Sequence, residues 1–199
     1  LNAAFLLSAM RESVLGFFAI IFNFRPIASG LNPALSAAHF SMKSVHKSVL
    51  IWYSPQEMFS LVTDVARYPQ FLPWCDHAQV LEAAPDGATM RAEVGIAFAG
   101  LHQSFETLNT HKFGCDPMGE SGIFEVQLKL VKGPFSKLEG QWQFLPVGDG
   151  QSRACKVVLD LHYGFDSATL SALIGPVFDK IAGSLVDAFV KRAEQVYGG

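Results

Sequence analysis

The groups of this chain able to move protons, attack an electrophile or hold a metal are six histidines, three cysteines and eighteen carboxylates. His39, His46, His77, His102, His111 and His162 form no H-x-H, no H-E-x-x-H and no cysteine-histidine spacing of a zinc site. They read as surface or strand-edge histidines, and no metal is expected. Cys75 follows Trp74, but no base is placed beside it by spacing, so it reads as a small buried hydrophobe and not as a nucleophile. There is no G-x-S-x-G elbow, no Gly-rich phosphate loop and no dinucleotide fingerprint. A hydrophobic cavity would raise the pKa of any carboxylate that faced it, which makes Glu93, Glu106, Glu125 and Asp160 the remaining candidates for acid-base work. Glu125 and Asp160 alternate away from the apolar side of their strands, and Glu106 is opposite in parity to Phe105. The expectation is a protein without catalytic residues and without a catalytic cofactor.

The elements that carry these residues are legible from pattern. Val45–Tyr53 reads as a strand, followed by a helix start in which Ser54 is the N-cap, Pro55 the first helical residue and Glu57 the partner in a capping box. Met58, Phe59, Leu61, Val62 and Val65 supply its apolar face, and Tyr68–Leu72 makes a second short helical turn. Ala78–Glu82, Ala88–Phe98, Leu101–His111, Ile123–Val131, Lys137–Leu145 and Arg153–Phe165 read as successive antiparallel strands separated by glycine and proline turns. Ala168–Val196 is a long amphipathic helix that Pro176 is expected to kink or restart. One long helix covering one dry face of a curved antiparallel sheet leaves space at the ends for a ligand tunnel.

The densest local signal is Asp64-Val65-Ala66-Arg67-Tyr68-Pro69-Gln70-Phe71-Leu72-Pro73-Trp74-Cys75. Each proline fixes its own φ and pushes the residue before it toward extended geometry, which predicts a stiff corner with apolar side chains. Tyr68 and Trp74 read either as core filling or as an aromatic lip with its polar atom solvated. Around Gly133-Pro134-Phe135, Lys129, Lys132 and Lys137 form either a solvated hairpin end or a tip that inserts Phe135 beside anionic lipid or phosphate.

Half of the 199 residues are apolar and 17% are charged, more grease than an ordinary core needs. A net charge of -3 leaves no global footprint for a nucleic-acid backbone, and DNA is not an expected partner. Three widely spaced cysteines cannot complete a disulfide framework, which favours a reducing compartment. Residues 1–41 read as an apolar extension and linker ahead of a domain over 42–199. The uncharged stretch Ser13–Phe24 is shorter than the roughly 20 residues of a bilayer span. An interfacial helix, an anchor and an extension without function stay open for it.

Asp64-Val65, then Tyr68-Pro69-Gln70-Phe71-Leu72-Pro73-Trp74-Cys75, then Gly133-Pro134-Phe135, Leu138, Gly140, Trp142 and Phe144, and finally Ala188-Phe189 and Arg192-Ala193 occur in an order and spacing similar to the Coq10/RatA family. The resemblance runs from Val45 to Tyr197. It implies an α+β, START-like helix-grip fold of the polyketide cyclase and dehydrase superfamily, with an apolar cavity between a curved antiparallel sheet and the C-terminal helix. It also implies non-enzymatic binding and delivery of ubiquinone or a related polyisoprenoid in support of respiratory electron transport. Two alternatives come with it: a ribosome association toxin that binds the large ribosomal subunit and blocks subunit association, and a cyclase-like cavity enzyme. The expected ligand contacts are Tyr68, Phe71, Leu72, Pro73, Trp74, Val126, Leu128, Trp142, Phe178, Ile181 and Leu185. Lys132, Phe135 and Lys137 are the expected membrane or ribosome contact. The expected location is the cytoplasm, or the inner face of the cytoplasmic membrane as a peripheral protein.

Overall fold

A computed structural model describes residues 42–98, 100–114, 122–148 and 153–198. The extension over residues 1–41, Cys115 and all but the last residue of the turn expected over residues 116–122 lie outside the described residues. The element order is β1 (Lys43–Ile51), α1 (Pro55–Thr63), a 3-10 helix (Val65–Gln70), β2 (Cys75–Ala83), β3 (Thr89–Phe98), β4 (Leu101–Gly114), β5 (Ile123–Lys132), β6 (Phe135–Pro146), β7 (Cys155–Phe165) and α2 (Ala168–Tyr197).

The strands form one seven-stranded antiparallel sheet in the order β1-β7-β6-β5-β4-β3-β2. β1 and β2 are thus the two edges, and α1 with the 3-10 helix carries the chain from one edge to the other. Bulges in β2, between β4 and β5, and between β6 and β7 bend the sheet around its dry side. That side is set by alternation. In β7, Cys155, Val157, Leu159, Leu161, Tyr163 and Phe165 are buried while Lys156 and His162 are exposed. α2 lies on this face, its backbone closest to β1, β7 and α1. Ile174, Phe178, Ile181, Ala182, Val186, Phe189 and Ala193 form its buried stripe.

α1 starts as the sequence predicts. Ser54 Oγ accepts from the Glu57 amide at 3.2 Å, and Glu57 accepts from the Ser54 amide at 2.8 Å. Two local expectations are corrected. The second helical turn begins at Val65, three residues before Tyr68, and the Phe71 and Leu72 amides both donate to the Tyr68 carbonyl, closing the turn around Pro69. α2 does not restart at Pro176 but runs unbroken for 30 residues. Proline there removes the donor for the Ala172 carbonyl, and because Ala172 is exposed the loss costs the helix little. Gly198 caps the helix because a Cβ at that position would lie 2.4 Å from the Glu194 carbonyl oxygen.

Polar contacts pin α2 along its length, with Lys47 of β1 beside Asp187 at 3.6 Å and Arg192 donating to Gln70 at 3.1 Å between the two strongest attachments. In its first half, Asp179 accepts from Tyr163 Oη and from Lys43 Nζ, both at 2.6 Å, tying the helix to β7 and β1. At its end, Arg153 donates to Glu57 and to the Tyr197 carbonyl, and Tyr197 Oη donates to the Glu57 carbonyl. Burial alone would raise the Asp179 pKa, but the donors from Lys43 and Tyr163 outweigh it and hold it below the usual carboxylate range. Glu57 is lowered chiefly by the Arg153 hydrogen bonds.

A carboxylate with a depressed folded-state pKa stabilises the fold above its unfolded value, and that stability is lost as pH falls through the folded value. The melting temperature is therefore expected to drop as pH is lowered from about 5 toward 3, and to drop less steeply in Asp179→Asn. Tyr163→Phe is expected to cost about 1.5 to 3 kcal/mol in urea denaturation, because the bond it removes ends on a charged acceptor.

Candidate binding site

The helix is held toward β1 and β7, and the dry face of the sheet extends beyond it. An apolar cavity of about 100 Å³ fills the difference. One wall is α2, through Phe178, Ile181, Ala182, Leu185 and Phe189. The opposite wall is β3 and β4, where Ala92 faces Thr107 and Val94 faces Phe105 across the ladder. Leu128, Leu138, Trp142 and Leu161 make the floor, and Val65, Tyr68 and Trp74 close the end nearest the corner.

Of the expected contacts, Tyr68, Trp74, Leu128, Trp142, Phe178, Ile181 and Leu185 come together here. Phe71, Leu72, Pro73 and Val126 do not. Phe71 lies behind Tyr68 and Phe189, with ring centroids 5.9 and 5.2 Å away, and Arg192 stacks over its other side at 5.3 Å. Leu72 is wholly buried in a separate cluster with Val65, Cys75, Met90, Ala92 and Val94. Pro73 is exposed and Val126 is buried in the main core. Tyr68 is not a solvated lip either: its hydroxyl donates to the Val62 carbonyl at 2.6 Å, and burial pushes its pKa up. The corner is a plug that packs on α2 more than it is a rim.

Thr107 and Asn109 are the two buried polar side chains among the described residues, and both line this otherwise hydrocarbon cavity. The signal for them was in the sequence. Along β4 they share parity with Phe105, so strict alternation places two hydrogen-bonding side chains on the dry face. Sequence reasoning also passed over Ala92, Leu138, Ala182 and Phe189, which line the cavity where strands and helix cross.

The groups that could do chemistry stand elsewhere. Cys75 Sγ donates to the His77 carbonyl, and burial raises its pKa to about 11. Burial raises Cys155 to about 12. Glu106 pairs with Arg91 and Lys132 on the outer face, and Glu125 accepts from Gln143. Asp76 accepts from His77 and His102, whose hydrogen bonds hold its carboxyl low, in a cluster that fits only because residue 95 is glycine. His111 has Nδ1 on the Gly87 carbonyl at 2.8 Å and its ring against the face of Phe59. No group of three or more metal-ligating side chains occurs among the described residues.

The expected basic tip is corrected. Phe135 is 3% exposed and packs on Phe105, Phe165 and Phe178. Lys132 and Lys137 are paired with Glu106 and Glu139. The cause is a bulge between Phe135 and Lys137, which inserts one residue into β6 and turns Phe135 inward.

The family described as polyketide cyclase / dehydrase and lipid transport matches residues 51–190. The ribosome association toxin RatA of Pseudomonas aeruginosa is 40% identical over 154 residues, covering 77% of this chain and 97% of the relative. The mitochondrial coenzyme Q-binding protein COQ10 homolog B of Xenopus laevis is 28% identical, over 76% of this chain and 58% of the relative. Among solved structures, a START superfamily protein from Mycobacterium smegmatis superposes with a TM-score of 0.59 at 19% identity, over 77% of this chain and 98% of that one. The seven-stranded grip around α2 and the matched sequence agree, and the chain belongs to the RatA/Coq10 family within the polyketide cyclase / dehydrase and lipid transport superfamily.

Proposed function

We propose that this protein binds ubiquinone or a related polyisoprenoid lipid in the cavity under α2 and delivers it, unchanged, in support of respiratory electron transport. We place it in the cytoplasm, or at the inner face of the cytoplasmic membrane as a peripheral protein. The observation that carries the reading is the composition of the cavity: hydrocarbon and aromatic walls with Thr107 and Asn109 as the buried polar exceptions. Such a lining suits a molecule that is mostly apolar and carries a compact oxygen-bearing head. Each Å² of apolar surface withdrawn from water contributes roughly 25 cal/mol, so a tail supplies affinity and two hydrogen bonds supply orientation.

The cavity holds about 100 Å³, below the roughly 300 Å³ at which ligand pockets usually begin. On this reading a cargo of ordinary size is admitted only when side chains of the corner or of α2 move, and the packing they give up sets how readily the cargo is released.

A second reading follows from the relatives. The 40% identity to a ribosome association toxin over nearly the whole length of that protein favours binding to the large ribosomal subunit. The Lys132 and Lys137 patch gives this little electrostatic support, since both lysines face carboxylates.

Four measurements check these readings. Organic extracts of natively expressed protein, analysed by mass spectrometry, are expected to contain a quinone or isoprenoid lipid, and Leu185→Trp, which fills the cavity, is expected to lose it while melting as a folded protein. Thr107→Val is expected to weaken quinone binding by about threefold to tenfold, the worth of one ordinary hydrogen bond. Absence of any co-purifying lipid together with failure to bind added ubiquinone would reject the carrier reading. In sedimentation with large ribosomal subunits at low and moderate salt, the carrier reading expects no co-migration; co-migration lost in Lys132→Glu/Lys137→Glu would instead support the ribosomal one. Finally, the reading without covalent chemistry expects Cys75 and Cys155 in a Cys115→Ser background to resist iodoacetamide near pH 8 until the protein is unfolded, since thiols raised to about 11 and about 12 carry almost no thiolate there.

A further inference from the structure

Two voids lie along the same face of α2. The inner one is the cavity described above, and the outer one, about 10 Å³, is lined by Ile96, Leu101, Gln103, Ile174 and Val177. Register makes them consecutive. Val94 and Phe105 face each other on the inner wall, and the next inward pair along the same two strands, Ile96 and Gln103, forms the outer wall. On the helix, Phe178 and Ile181 border the inner void, while Ile174 and Val177, each one turn earlier, border the outer. A single groove therefore runs between α2 and the β3-β4 pair.

The groove is pinched by Phe105 and Phe178, which lean on opposite parts of Phe135 with ring centroids 5.6 and 4.9 Å from it. The pinch is braced from outside by Gly133, at φ +151°, whose backbone lies so close that a Cβ there would come within 2.6 Å of Phe105 Cβ. Phe105 is itself half-buried, so its ring is the member of the pinch with access to other rotamers.

The two ends of the groove differ in character. Thr107 and then Asn109 continue β4 away from the outer void, so the polar side chains sit at the deep end. At the other end Leu101 is 38% exposed, and Leu173, beside Ile174, is 56% exposed. An apolar rim at the mouth and polar atoms at depth set a direction.

Resting on the carrier reading, we infer that the two voids are one tunnel for an elongated amphiphile. Its compact oxygen-bearing head lies toward Thr107 and Asn109, and its isoprenoid-type chain passes the Phe105-Phe178 pinch and leaves between Leu101 and Leu173. From Ala182 to Ile174 the helix spans about 12 Å at 1.5 Å per residue, so only the first part of a long tail is enclosed. Selectivity then lies in the head and the proximal chain, and the distal tail stays outside the protein.

The test is a chain-length series read by tryptophan quenching. Trp74 and Trp142 line the inner cavity, and Trp52→Phe removes the one other tryptophan, which is 83% exposed. The probes are the ubiquinone head group without a tail and the same head with one and with two isoprenoid units. Affinity is expected to rise about tenfold or more with each unit. Val177→Phe, which fills the outer void without adding a tryptophan, is expected to abolish that increment, and Gln103→Leu, at an exposed position on the same wall, is expected to enlarge it. Equal affinity for all three probes, or the same increment in both variants as in the parent, overturns the tunnel while leaving the carrier reading standing. No quenching by any probe overturns both.

Discussion

The constraint on which this structure depends is the attachment of one long helix to a sheet wider than itself. α2 must bury its stripe against the dry face, and its polar fastenings to the sheet lie on the β1 and β7 side, Tyr163 and Lys43 at Asp179 and Lys47 at Asp187, while its last turns are tied to α1 and the corner through Glu57 with Arg153 and through Gln70. Aromatic packing of Phe178 on Tyr163 and Phe165 and of Phe189 on Trp142 places the helix over β6 and β7, and the directional polar contacts hold it there. The strip beside β3 and β4 is left as the cavity. The space is thus a consequence of where packing and hydrogen bonding together place the helix, and its walls are apolar because they belong to the inside of the sheet.

Closure of the edges depends on the same helix. α1 and the proline corner bridge β1 and β2, and their anchor points are on α2: Phe189 meets Tyr68 and Phe71 with centroids 5.4 and 5.2 Å away. Leu72 and Cys75 turn the other way into the cluster beneath β2 and β3. The corner's two prolines keep it from extending either neighbouring element, so its aromatic side chains are presented to the helix and its small apolar ones to the sheet.

Much of this was legible in sequence because each local signal had one physical meaning. Ser54, Pro55 and Glu57 could only begin a helix, and the alternation from Cys155 to Phe165 could only be a strand with one dry face. Phe135 is where alternation misleads, because alternation is a rule without insertions. Counting back from Leu138 by twos leaves Phe135 on the wet face, and the bulge before Lys137 moves it to the core. Pro176 is a separate case, since the cost of a missing donor depends on whether the orphaned carbonyl of Ala172 reaches water, and exposure is a tertiary property. Thr107 and Asn109 follow from the same parity as Phe105, but neutral side chains carry no signal of acid-base or metal chemistry that would mark them as a site.

Neutral polar groups are what an apolar carrier site requires. A carboxylate on that wall would pay a desolvation cost whenever the cavity closed, and would take up a proton or hold water to avoid it. A threonine and an asparagine cost less to bury and can orient a carbonyl without holding it tightly. On the carrier reading, the small volume of the cavity sharpens this balance. The contacts of Tyr68, Phe71 and Phe189 are among those a cargo would displace, so the net affinity is the apolar gain of the cargo less the packing it displaces. A ligand bound by such a difference is retained in water, where its tail is exposed at cost, and surrendered where the tail finds hydrocarbon of equal quality.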